Sequence, residues 1–313
     1  MNTAKLTSLT IAALLLSQSV IAAEAVEESK QVKPNSKVDV SIQRGNVTFK
    51  SWDKSEISVK GQLDELSEGF TFTVKGGNVV IEDKMPRQYN GSNKDGSELT
   101  ITLPSQIKLQ AEGVSANYTL STLNGKISIS SVSGDIRATQ LSKKVMIRTV
   151  SGDILSRDLS GKVMLETVSG EIKDTDSDGQ IAYSLVSGEL TATTKAAQVS
   201  VELVSGDATV TLANVDNLNI KSVSGDLDVS LNSLNDRAKL ASVSGDMSIQ
   251  FISKANVSFD INGGPSGKIS NKLTDDKVTK EKYSPQTYLK FQSGDGSAKL
   301  SASTISGDIA LSH

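Results

Sequence analysis

The chain has 313 residues and a formal net charge of −3, with no Cys, one His at the last position and only 4% aromatic residues. These absences exclude a disulfide frame, a thiolate nucleophile, a zinc–thiolate cluster, a lipid-attachment cysteine, Ser-His-Asp chemistry and histidine metal sites. The mildly acidic balance, with no contiguous basic face or His cluster in the sequence, argues against nucleic acid as a partner, because phosphate contacts need clustered Lys and Arg.

Residues 1–23 read as an export signal peptide. Lys5 supplies the positive start, Leu9 to Leu16 the short apolar run, and Ala22, Ala23 and Ala25 the small residues of a cleavage site. The apolar run falls short of the ~20 residues of a spanning helix. The expectation is therefore an exported, soluble mature protein without a transmembrane anchor, in the periplasm, at the cell surface or secreted. Residues 24–36 are charged, contain Pro34, and read as a flexible lead-in.

Residues 37–113 carry alternating strand patterns, as in residues 37–42 and 99–103, but no repeated phrase. They are expected to form less regular first coils, with a polar loop near residues 86–97. From Val114-Ser115-Ala116-Asn117 onward a phrase returns. Val132-Ser133-Gly134-Asp135 is followed 18 residues later by Val150-Ser151-Gly152-Asp153, and the phrase recurs with Asp or Glu last at 171, 189, 207, 226 and 246. A late copy is Ile305-Ser306-Gly307-Asp308. A fixed period of this length means a repeat architecture. A second Gly lies nine residues out of phase, at 125, 161 and 179, so each unit holds two turns and two short strands.

Apolar residues alternate within each unit, as at Val145 and Ile147, then Val163 and Leu165. That is the period of a half-buried strand. The expected fold is all-β: a β-solenoid of coils of about 18 residues, with an antiparallel β-meander as the alternative. The alternation of two kinds of turn favours the solenoid. It would form a single domain over residues 37–313, most regular over about 114–250, with an insertion at about 262–290. In the repeated corner, Gly permits a sharp bend, Ser and Asp bond nearby backbone, and Val is expected to plug the core.

Three features together resemble a bacterial family of exported β-strand-repeat proteins of unknown function that carry the name adhesin. They are Leu99–Pro104 followed by Val114-Ser115-Ala116-Asn117, the tandem Val-Ser-Gly-Asp units, and Gly294-Asp295-Gly296 with Thr304 to Ile309. The resemblance spans roughly residues 36–313. It implies a β-solenoid and carries no catalytic residues with it.

The candidate sites are few. Asp174, Asp176 and Asp178, with Gly179 and Ile181, match the first half of a calcium loop, making calcium the one candidate cofactor. Position 12 is Leu185, so Glu171 or Glu189 would have to supply the missing carboxylate. The acids closing the corners, from Asp135 and Asp153 to Asp246, would stack into a ladder. Two of them would serve the rival reading, an enzyme that binds or cleaves envelope polysaccharide. Trp52 and Tyr89 are the candidate sugar-stacking residues. Ser51 and Lys54 have the Ser-x-x-Lys spacing but lack companion motifs. No catalytic activity is expected. The expected role is structural or adhesive, with a protein or glycan of the envelope as partner and self-association through strand edges at the solenoid ends.

Overall fold

In the computed structural model, which describes residues 24–88, 95–280 and 283–313, no residue is helical and 27 strands join one continuous sheet. The signal peptide read at residues 1–23 lies outside the described residues, as do Tyr89 and Lys282. Among the described residues, no helix is long and apolar enough to cross a membrane.

The sheet winds into a two-walled β-solenoid. Strand Ser142–Thr149 lies in the first wall, the Val-Ser-Gly-Asp corner turns the chain, and Ile154–Arg157 returns along the second wall. Each strand pairs in parallel with the strand one unit away, so Val145 lies beside Val163 and Ile154 beside Ile172. This pairing rules out the meander for the repeated region. Antiparallel pairing is confined to strands near the two ends.

Stacking in register makes like side chains neighbours across a strand spacing of about 4.8 Å. Ile127, Val145, Val163 and Ile181 form one buried column of the first wall. Ile136, Ile154, Ile172 and Leu190 form a buried column of the second. Leu123, Leu141 and Leu159 plug the corner that leads from the second wall back to the first. One residue per unit in that corner, Thr122, Gln140, Asp158 and Asp176, takes a left-handed backbone with φ of 54–59°.

The Val-Ser-Gly-Asp corner is built differently from expectation. Its Val does not plug the core: Val114, Val132, Val150 and their successors to Ile305 are 40–57% exposed. Strand parity explains this. Thr149 points inward, so Val150 must point outward. The inward position is held by a hydroxyl residue in several units. Thr149 Oγ1 accepts the Gly152 N–H at 3.1 Å, and Ser131 Oγ accepts the Gly134 N–H at 3.0 Å. The glycine itself is required by close approach, since a Cβ on Gly152 would lie 2.1 Å from the Gly134 carbonyl oxygen.

The chain ends are interleaved with their neighbours. The first coil, Lys37–Ser41 with Arg44–Trp52, lies between the coil formed by Asn78–Lys84 and Ser97–Pro104 and the coil formed by Gln106–Glu112 and Ser115–Ser121. The last coil, Ala298–Ser303 with Ile309–Ser312, is enclosed in the same way. It pairs with Leu227–Ser242 and Met247–Phe251 on one side, and with Val257–Gly264 and Ile269–Asn271 on the other. Val257–Gly264 with Ile269–Asn271 is thus the outermost coil, and Thr287–Ser293 covers it, antiparallel to Val257–Gly264.

The lead-in also departs from expectation. Ala25–Gln31 is a strand antiparallel to Glu56–Gln62, and Val26 and Val32 join the core. Its alternation is hidden by charge, because Glu28 and Lys30 occupy the same face of the strand as Val26 and Val32. Charged or very short edge strands, such as this one and three-residue Ile269–Asn271, discourage strand addition from another chain.

Candidate functional site

The three aspartates of the calcium-loop match are not brought together. Asp174 is two residues past inward Ile172 and therefore points into the core, fully buried. Its carboxylate accepts hydrogen bonds from Ser156 Oγ at 2.5 Å, Ser177 Oγ at 2.7 Å and the Tyr183 hydroxyl at 2.7 Å. Asp176 is the exposed left-handed turn residue and pairs with Lys195 at 3.0 Å. Asp178 is exposed and accepts the Gly179 N–H. Among the described residues, no group of three His, Cys, Asp or Glu could hold a metal ion. Burial pushes the Asp174 carboxyl up from the ordinary 3.8, against its hydroxyl donors, and also pushes the Tyr183 hydroxyl well up.

The corner acids do form a ladder, and its chemistry is structural. Asp135 Oδ1 accepts the Asp153 N–H at 3.1 Å, and Asp153 Oδ1 accepts the Glu171 N–H at 2.8 Å. Asp207, Asp226 and Asp246 continue the pattern, and Asp308 clips the Lys268 N–H of the outermost coil at 2.9 Å. Asn117 begins it by accepting the Asp135 N–H at 2.9 Å. Each such side chain is a clip between levels, satisfying a backbone donor that the corner leaves free.

Trp52 offers no open platform. It is half-buried, donates its indole N–H to the Glu56 carbonyl at 2.7 Å, and carries the Lys54 ammonium 4.8 Å from its ring centroid. That contact accounts for Lys54 of the Ser51–Lys54 match.

A second buried polar group escaped the sequence reading. Arg44 pairs with Asp64, whose side chain is fully buried. Ser97 Oγ accepts the Asp64 N–H at 3.1 Å and donates to buried Asp83, which also accepts from Ser67. Burial alone would raise the Asp64 carboxyl, but the Arg44 guanidinium and the Leu66 N–H outweigh it and hold the group below 3.8. Nothing in the sequence marks this cluster, because its members come from four separate strands and loops.

The outer face of the first wall carries what the sequence reading missed most. Parallel register brings Lys37, Lys108, Lys126, Lys144 and Lys162 into one exposed ladder. Gln180, Gln198 and Asn217 continue it, and Arg237 and Lys299 end it. The 18-residue spacing of Lys126, Lys144 and Lys162 was a readable trace; the adjacency of Lys37 and Lys108 was not. This corrects the expectation that no basic face exists. Beside the ladder, the middle of the wall falls from Met164 to Ala182 and Ser200, which opens a groove of about 500 Å³ running from Lys162 to Arg237 and Lys239. A second groove of about 350 Å³ continues from the same Arg237 and Lys239 to Lys290 and Lys299.

The chain belongs to the Toastrack DUF4097 family. The family's sequence model matches residues 27–312, so it covers the interleaved ends as well as the regular units. No curated protein matches the chain. The chain is similar to three solved structures. One, from Bacteroides fragilis, bears the provisional name adhesin; it is 12% identical, with 93% of this chain and 98% of that chain covered and a TM-score of 0.35. Another, from Parabacteroides distasonis, is provisionally named a lipid binding protein; it is 9% identical, with 91% and 96% covered and a TM-score of 0.37. A third, from Clostridium sporogenes, is provisionally named a cell adhesion protein; it is 12% identical, with 92% and 99% covered and a TM-score of 0.21.

Proposed function

We propose that this protein is an exported, non-catalytic adhesive module of the cell envelope. The observation that carries the reading is the stripe of β-branched residues from Val114 to Ile305, repeated at each corner and left 40–57% exposed. Contiguous apolar surface on a charged exterior marks a contact site. The polar groups that could have suggested chemistry have structural partners instead. The corner aspartates clip backbone, Asp174 is enclosed by three hydroxyls, and Asp64 is held by Arg44.

The test is protease shaving of intact cells with a periplasmic marker, paired with antibody labelling and with adhesion of protein-coated beads to the same cells. The expected result is surface labelling, cleavage with the marker spared, and bead adhesion that falls when Val150, Val168 and Val186 are replaced together by Ser. No labelling and no adhesion would sink the reading.

A further inference from the structure

We propose that the trough on the outer face of the first wall binds a linear anionic polysaccharide laid along the stack. The trough is a different surface from the corner stripe that carries the adhesive reading, and the proposal goes beyond that reading.

The electrostatics come first. The two grooves share Arg237 and Lys239 and so form one trough. Among the described residues its single carboxylate, Asp260, is engaged by Lys290 at 3.0 Å. Lys162, Arg237, Lys239 and Lys299 have no carboxylate within ion-pair distance among the described residues. Beyond the trough the lysine ladder continues through Lys144, Lys126 and Lys108, one per level. Unit charges one strand spacing apart repel by just under about 1 kcal/mol in water. The fold tolerates that repulsion over successive levels of one column, and a bound polyanion would relieve it. The acidic ladder belongs to a different column, at the Val-Ser-Gly-Asp corner, so it does not neutralise this one.

Geometry then selects among polyanions. The trough runs across successive levels and repeats its donors at the strand spacing of about 4.8 Å. A chain of pyranose rings has a repeat of the same order, so a charged sugar polymer can meet one donor row after another. Between the cationic ends, Gln180, Gln198 and Asn217 present amides, which donate to and accept from sugar hydroxyls. Among the described residues, no aromatic side chain lines either groove except Phe259, which is buried. A single-stranded nucleic acid would find no stacking surface there, and a neutral glycan no platform. Charge and amide contacts are what the trough offers, and they fit an acidic glycan.

The experiment uses the full chain and polygalacturonate as probe, by calorimetry at low and high salt. The variant is Lys162→Glu with Arg237→Glu, both exposed positions; the control is Lys173→Glu on the second wall. The expected result is binding that weakens with salt, is at least about tenfold weaker in the double variant (on the order of one pair's worth of affinity), and is unchanged in the control. Carboxyl-reduced polymer should not bind. Equal binding by the double variant, by the reduced polymer, or tighter binding of single-stranded DNA or anionic vesicles would overturn the proposal. Bead adhesion separates the two readings. Polygalacturonate binding unchanged in the double variant, with adhesion intact, removes the trough ligand and leaves the adhesive reading standing. Absent adhesion with intact polygalacturonate binding does the reverse.

Discussion

The middle of the stack and its two ends solve the same problem in different ways. In the middle, each coil is flanked by the coils before and after it in sequence, and the 18-residue period suffices. At the ends there is no such neighbour on one side. There the chain returns, so that its first and last coils are enclosed by other segments. A repeat protein's stability is approximately a sum over neighbouring levels. Enclosing the terminal coils gives them two interfaces instead of one, and leaves hairpin strands to face the exterior.

The largest expected effect breaks this comparison directly. Deleting the last coil, residues 298–313, should strip the outermost coil of its parallel neighbour and cause aggregation or a two-step urea transition. Deleting one middle unit, residues 124–141, should leave a cooperative protein, because Leu123 and Ser142 then join levels that present the same columns. Equal damage from both deletions would refute the distinction.

A smaller effect concerns the buried polar groups, which also differ between end and middle. Replacing Arg44 by Ala leaves Asp64 buried without its cation and should cost about 3–5 kcal/mol in denaturant unfolding. The Asp64 carboxyl is held below 3.8, so its contribution is present above that pH and is lost as pH falls through the folded-state value. Asp174 in the middle behaves oppositely. Its carboxyl is raised, so the folded state binds its proton more tightly than the unfolded chain does. Its favourable contribution is full below 3.8 and is lost as pH rises through the folded-state value. Asp174→Asn should flatten that part of the stability–pH profile while leaving the Asp64 part intact. A profile identical to the parent would show that Asp174 does not titrate in the folded protein.

The smallest expected effect is at the corner. Val150→Ser and Val168→Ser should change stability by no more than about 0.5 kcal/mol each, as substitutions at exposed positions do. Thr149→Val, one residue earlier, leaves the Gly152 N–H without its acceptor and should cost about 1–3 kcal/mol. Reversed magnitudes would mean that the corner is packed by Val after all.

Much of the candidate surface was readable in principle. Parity from Ile172 places Asp174 inward and parity from Thr149 places Val150 outward, yet local motif matching suggested a calcium ligand and a core plug. The lysines at 126, 144 and 162 fall on the repeat period. What had no trace was the set of neighbours made by chain return: Lys37 beside Lys108, Asn46 beside Asn117, and Asp246 beside Asp308.

The sequence by itself determined the all-β class, the 18-residue period, the aliphatic columns and the glycine corners. It could do so because in a parallel, in-register stack every residue meets its own equivalent one unit away. Only the tertiary structure decided how the ends close and how Lys299 and Lys290 complete a basic trough beside Arg237. Those depend on pairings between distant segments, and a strand pair closed over a long stretch of chain leaves no local pattern in either partner.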